Sequence, residues 1–292
     1  RNRDFDFGAK MVNPENLGAA VIRWARRESS VCALVLIGSQ VHAGTASPPG
    51  PDRYSDWDFQ IITTRPARFA DRAWMRELGA GEPLAYVARV GRLGSVMKVS
   101  AVLPAGALDL VVIPVRQLRM AKWLFALGLA KRFGSVWPAL GDLALVVRAG
   151  HRVVKGNAGW SDFFQRVATE IPPRRLSDDE IRSVGEGFVC DYVSTRNKIA
   201  RGELLAAQRW LHHQLADANF RLLHELRQRR GEPSLSDARR IEFLVDDPQD
   251  VAVSALPTAE SLDAAVEKCA AGFRRLMHGL VGDTWRWPDG VR

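Results

Sequence analysis

Apolar and polar positions divide this 292-residue chain into two stretches of different character. From Val31 to Ile37 nearly every residue is apolar, and the run is short enough for a strand covered on both faces. It stops at Gly38-Ser39. Ahead of it, Asn13-Pro14-Glu15-Asn16 carries helix-start signals, an Asn N-cap with Pro at the first helical position. Leu17, Ala20, Val21, Trp24 and Ala25 then follow at helical spacing. Gly44 to Pro51 reads as a Gly/Pro-rich surface loop, and a strand over Asp56 to Thr63 follows, with Ile61, Ile62 and Thr63 supplying β-branched residues. Further on, the pattern predicts a helix over Asp71 to Leu78 and strands over Tyr86 to Val90 and Val96 to Leu103, broken at Gly91 and Gly94. A strand over Leu108 to Ile113 stops at Pro114. An amphipathic helix over Val115 to Arg132 and a strand over Leu143 to Val147 close this half.

The second half loses the period-two pattern. Pro172-Pro173 mark a break, and Ser177-Asp178-Asp179-Glu180 has the form of a capping box opening a helix. Long helical patterns run over Ile181 to Lys198, Leu204 to Arg229 and Ser261 to Val281. No strand is expected after about residue 155, and no internal repeat or low-complexity tract occurs. These elements predict an α+β chain. Residues 1–157 would form a domain with a mixed β-sheet and flanking helices, and residues 158–292 an all-helical domain.

Composition narrows the class without naming a function. Hydrophobic residues at 47% and charged residues at 25% match a globular chain with ample core material. No apolar run reaches the roughly 18–20 residues a bilayer span needs. The start at Arg1 has neither an initiator Met nor a signal-peptide hydrophobic stretch, so a trimmed, cytoplasmic protein is expected. Cys32, Cys190 and Cys269 lie far apart with no C-x-x-C pair, which fits reduced, buried thiols better than a zinc site or a disulfide framework. The net charge of +8 admits an anionic partner, but the charge is dispersed. The one dense run, Arg227-Gln228-Arg229-Arg230, falls where a helix end favours cations.

Candidate chemistry gathers around three acids. Side chains alternate along a strand, so Asp56 and Asp58 project to one side and Trp57 to the other. Two carboxylates so placed repel each other and call for a cation, and an oxygen-only site suits Mg²⁺ with substrate phosphates. Asp109 is a lone charge in an apolar strand and needs a partner. If its strand neighbours that of Asp56, all three acids can converge on a metal pair. Gly38-Ser39, after a buried strand, offers close backbone approach and a hydroxyl to a phosphate oxygen.

A strand ending in Gly-Ser, then a loop, an Asp-x-Asp and a third strand acid together resemble the polymerase-β-type nucleotidyltransferase signature. Within that superfamily, Ile37-Gly38-Ser39-Gln40-Val41 followed by Tyr54-Ser55-Asp56-Trp57-Asp58 is similar to the aminoglycoside 6-adenylyltransferases, where Gly-Ser-Arg precedes Asp-Tyr/Trp-Asp. Asn197-Lys198-Ile199-Ala200-Arg201-Gly202-Glu203-Leu204-Leu205-Ala206 resembles that family's helical Lys-Gly-Leu-x-Arg-Lys-Glu-Ile-Leu-x-Ala segment. Gln40 stands where the family has Arg, and Tyr192 is the main survivor of the aromatic residues expected before the helical Lys.

The resemblance extends over most of the chain at low identity. It implies a nucleotidyltransferase domain followed by a substrate-binding helical domain. Asp56, Asp58 and Asp109 would hold two Mg²⁺ ions around ATP, Gly38 and Ser39 would bind phosphate oxygens, and Lys198 would contact the triphosphate. AMP would pass to a small-molecule hydroxyl with release of pyrophosphate, and the implied acceptor is an aminoglycoside of the streptomycin type. The proton would go to Asp109, or to Glu186, Asp191 or Glu203 from the helical half. Glu186, Asp191 and Glu203 would also help make an acidic surface for a polycation, although the chain as a whole is basic.

Two alternatives stay open. One keeps the chemistry and changes the acceptor to a lincosamide, another metabolite or a protein side chain. The other is a non-catalytic nucleic-acid-binding or antitoxin-like module, which three intact acids disfavour. His212-His213 point in different directions on a helix and cannot easily chelate one metal, and His42 reads as a loop residue. The absence of G-x-x-x-x-G-K-[ST] argues against a P-loop enzyme.

Overall fold

The structure, a computed structural model, describes residues 15–42, 51–52, 54–91, 96–234, 238–239, 241–246 and 253–291. The Asn13-Pro14 helix start, Gly94 and most of the Gly44–Pro51 loop lie outside the described residues. The chain divides into two compact units, Arg1–Pro173 and Arg174–Arg292. No helix is long and apolar enough to cross a membrane among the described residues.

In the first unit, helix α1 (Glu15–Arg27) precedes β1 (Val31–Ile37), which is buried along nearly its whole length. Strands β2 (Trp57–Thr63), β3 (Ala85–Val90), β4 (Met97–Leu103), β5 (Gly106–Pro114) and β6 (His151–Lys155) complete a six-stranded sheet of order β3-β4-β5-β2-β1-β6. The β2/β5 pair is parallel and every other pair antiparallel, giving the mixed sheet expected.

Each sheet face buries its own core. Leu34, Leu36, Phe59, Ile61, Leu108, Leu110 and Val112 face α1 and two 3₁₀ turns, Pro66–Ala70 and Arg72–Leu78. Trp24 and Trp74 meet there at 5.0 Å between ring centroids. Trp57 belongs to this face too, stacked on Phe59 at 6.0 Å; a Cβ at Gly18 on α1 would collide with its ring. The opposite face, with Ala33, Val35, Ile37, Ile62 and Ile113, is covered by α2 (Val115–Ala126), α3 (Val136–Arg148) and α4 (Ala158–Glu170). Lys155 at the end of β6 donates to Ala25 O (2.6 Å) and Glu28 O (2.8 Å), fastening the C-terminal end of α1.

Several expected boundaries change. Leu143 to Val147 is helix, not strand: Leu140, Leu143, Ala144 and Val147 are buried at i, i+3, i+4 and i+7, a helical stripe, and the strand is the following His151–Lys155. Helix α2 ends at Ala126, because Gly128 turns the chain with φ 71° before a 3₁₀ turn at Ala130–Arg132. Asp71 to Leu78 forms a 3₁₀ turn capped by the Asp71 side chain rather than an α-helix. The first compact unit runs to Pro173. Trp160, Phe163, Phe164 and Val167 of α4 are buried in the core of the sheet.

The second unit is helical throughout its described residues: α5 (Asp178–Ala200), α6 (Leu204–Trp210), α7 (Asp217–Arg229) and α8 (Ala259–Val281), with short 3₁₀ turns. Both halves of the capping box form at Ser177 and Glu180. The single helix expected over Leu204 to Arg229 is interrupted by a π-helical segment, Leu211–Ala216, which keeps Leu211 and Leu215 buried. Phe188 and Phe273 stack at 3.7 Å in the core. The basic run at the end of α7 is largely structural: Arg229 binds Glu225 and Asp178, and Arg227 binds Glu232. Cysteine burial departs from expectation at Cys190, which is exposed, while Cys32 is half-buried and Cys269 buried.

Candidate active site

One transverse row of residues crosses the sheet at the exit of β1. Ile37 pairs with Asp58, Asp58 with Asp109, and Asp109 with Ser100, while His151 lies opposite Ile37 on the outer side. Directly opposed residues point to the same face. Asp58 and Asp109 therefore project together, on the face covered further along by α2, α3 and α4. Asp56 immediately precedes β2 and feels the charge of Asp109. Solvent reaches Asp56, yet its protein surroundings and then the Asp109 charge push its carboxyl above the ordinary carboxylate range, with Lys98 pulling it partly back.

Gly38 and Ser39 stand at the same end. Gly38 has φ 72°, a left-handed conformation that favours glycine, and Ser39 opens a 3₁₀ turn, Ser39–His42. A Cβ at Gly38 would collide with Asp58 Oδ2, so the missing side chain is what lets the carboxylate lie against the backbone. Gln40 donates to Ser55 O at 3.3 Å, linking this turn to the approach of the Asp-x-Asp segment. His42 Nε2 lies 2.9 Å from Ala149 O, which gives it a structural contact at the end of α3.

The donor set suits a hard divalent cation: three carboxylates, with no sulfur or imidazole among them. Their placement is not that of a closed cluster. Among the described residues, no three or more His, Cys, Asp or Glu side chains are arranged to hold a metal. Asp109 is instead engaged by Lys98, whose Nζ lies 3.0 Å from Asp109 Oδ2.

Sequence reasoning missed Lys98 and the row-mates Ser100 and His151. The signal was present in β4, where Lys98 and Ser100 alternate with Met97, Val99 and Ala101 and so share a polar face. The cross-strand register that puts that face beside Asp109 was not readable. His151 Nδ1 lies 3.0 Å from Val147 O and its ring 6.2 Å from that of Phe164.

Two residues further along the same face, Gln60 and Val111 border an open cavity of about 290 Å³ lined by Leu118, Leu140 and Leu143, with Asp142 also in its wall. Gln60 is buried, and its Oε1 has no hydrogen-bond partner in the structure. The largely apolar walls suit an uncharged group and not a polycation.

The remaining predicted residues belong to the second unit. Lys198 sits over the Trp210 ring at 4.6 Å, with its Nζ 3.9 Å from Glu203 Oε2. Asp191 and Lys198, seven residues apart on α5, share one side of that helix, and Glu186 lies on another. Glu186 Oε1 accepts from Trp285 Nε1 at 3.3 Å. Burial raises the Asp191 carboxyl above its usual range. His212 and His213 are exposed in the π-helical segment.

No family model and no curated protein matches the chain. Among solved structures, an aminoglycoside 6-adenyltransferase from Bacillus subtilis aligns over 95% of this chain and 94% of its own, at 12% identity and a TM-score of 0.39. A nucleotidyltransferase-like protein from Exiguobacterium sibiricum aligns over 93% of this chain and 77% of its own, at 12% identity and a TM-score of 0.32.

Proposed function

We propose that the chain is a magnesium-dependent nucleotidyltransferase that moves AMP from ATP to a hydroxyl of a small molecule. The observation that carries this reading is the register of Asp58 against Asp109 in the parallel β2/β5 pair, with Gly38 beneath Asp58. Mg²⁺ bound by Asp56, Asp58 and Asp109 would neutralise charge on the triphosphate and polarise the α-phosphate.

The chain's own groups supply the rest. Gly38 permits close approach of a phosphate to the backbone, and the Ser39 hydroxyl donates to a phosphate oxygen. The acceptor hydroxyl oxygen forms a bond to the α-phosphorus as the bond to the β-bridging oxygen breaks, and pyrophosphate leaves. A carboxylate at the same sheet edge takes the hydroxyl proton. Lys198 is the proposed triphosphate contact of the second unit.

For the acceptor, we propose an aminoglycoside of the streptomycin type, on the sequence resemblance. Its positive charges would be met by acids such as Glu186, Asp191 and Glu203. The apolar cavity at Gln60 does not serve such a ligand. The test is transfer of label from ATP carrying radioactive phosphorus at the α-position. Label recovered in streptomycin, with none transferred by Asp109→Asn, supports the reading; label in no acceptor tried, or equal transfer by the variant, opposes it.

A further inference from the structure

We infer that Lys98 is a built-in counter-cation of the acid edge, and that a divalent cation binds there by displacing the Lys98 ammonium from Asp109. This rests on the metal-dependent reading above. In the β4/β5 ladder Ser100 stands opposite Asp109 and Lys98 opposite Val111, so Lys98 is the diagonal neighbour of Asp109 on one face. Its Nζ closes a 3.0 Å ion pair with Asp109 Oδ2.

Asp56, Asp58 and Asp109 share this end of the sheet, and Lys98 offsets the repulsion that Asp109 exerts on Asp56. The same pair engages the oxygen that a third metal ligand would supply, which accounts for acids that share an edge without forming a three-ligand cluster. Release is feasible: the Lys98 side chain is 56% exposed and the Asp109 side chain 31%. A lysine ammonium on a flexible stem can leave one partner for another, such as a phosphate oxygen. Lys98 is thus a positioning residue that keeps the edge balanced until a cation arrives.

The test is a Mn²⁺ titration of the whole chain, read by the electron paramagnetic resonance of free Mn²⁺. Lys98→Met is expected to bind Mn²⁺ about two- to five-fold more tightly than the wild type, the range an ion pair of this exposure is worth. Lys98→Gln should show the same shift, and Lys98→Arg should restore wild-type affinity. In an Asp109→Asn background, Lys98→Met should shift affinity far less, through its charge near Asp56 alone. Arg89, opposite Lys98 on β3, controls for general loss of positive charge, and Arg89→Met should shift affinity far less. Unchanged or weaker binding in both Lys98→Met and Lys98→Gln, or an equal gain in Arg89→Met, overturns the role of Lys98 and leaves the metal site standing. If neither the wild type nor Lys98→Met binds Mn²⁺, the metal reading falls with it.

Discussion

The Asp58 carboxylate lies against the α-carbon of Gly38, at a point where any Cβ would overlap its Oδ2. The contact joins the last turn out of β1 to the first residues of β2, and it explains why a glycine must end the apolar run. A left-handed φ and a close approach coincide at Gly38.

Gly38→Ala should therefore damage the site more than the fold. The left-handed conformation costs a non-glycine residue roughly 1–2 kcal/mol. Moving Asp58 by even an ångström can lower turnover about 100-fold. Thermal melting and nucleotidyl transfer, measured on the same preparation, check both. A variant that transfers at the wild-type rate would show that Asp58 does not need this contact.

Asp56→Asn should stabilise the protein at neutral pH while removing activity. The Asp56 carboxyl is raised in the folded state by burial and by Asp109, so folding favours its protonated form. For a raised acid, stability falls as pH rises from the unfolded value, near 3.8, through the folded one. Above that window the ionised group is a standing cost, which the amide lacks. Below it the group is protonated in both states and contributes no pH-dependent difference. Denaturant midpoints of the two proteins from pH 3 to pH 8, without divalent ions, should diverge as pH rises. Midpoints that converge instead would reverse the sign assigned to Asp56.

The cysteines should separate by reactivity. Burial pushes the Cys269 thiol up to about 12, and it lies in the core of the second unit, where Asn219 Nδ2 donates to its sulfur at 3.2 Å. Cys190 is exposed. A thiol reagent at pH 8 should label Cys190 on mixing and Cys269 only on unfolding, with labelled peptides identified by mass spectrometry. Rapid labelling of Cys269 in the native protein would contradict its placement.

Much of the candidate site is legible because its signals are local. Gly38 ends a continuous apolar run, Asp56 and Asp58 bracket Trp57 with period two, and Asp109 interrupts an apolar strand. Pairing of Asp58 with Asp109 further depends on β2 and β5 being neighbours in the register that sets the two acids opposite each other. Lys98 was missed because its significance depends on a register between strands, which no single stretch encodes. The stripe at Leu140, Leu143, Ala144 and Val147 was misread because a window starting at Leu143 hides its period. Helix α4 resembles the helices after it in composition, and only its packing shows that Trp160 and Phe164 belong to the core of the sheet.

The most direct test of the central claim is pyrophosphate release from ATP and Mg²⁺, by the wild type and by Asp58→Asn, across streptomycin, other aminoglycosides and lincosamides. The account predicts acceptor-dependent release by the wild type and a loss of roughly 100-fold or more in the variant, as expected for removing a group that stabilises transition-state charge. Comparable release by the two proteins, or none from the wild type with any acceptor, would contradict it.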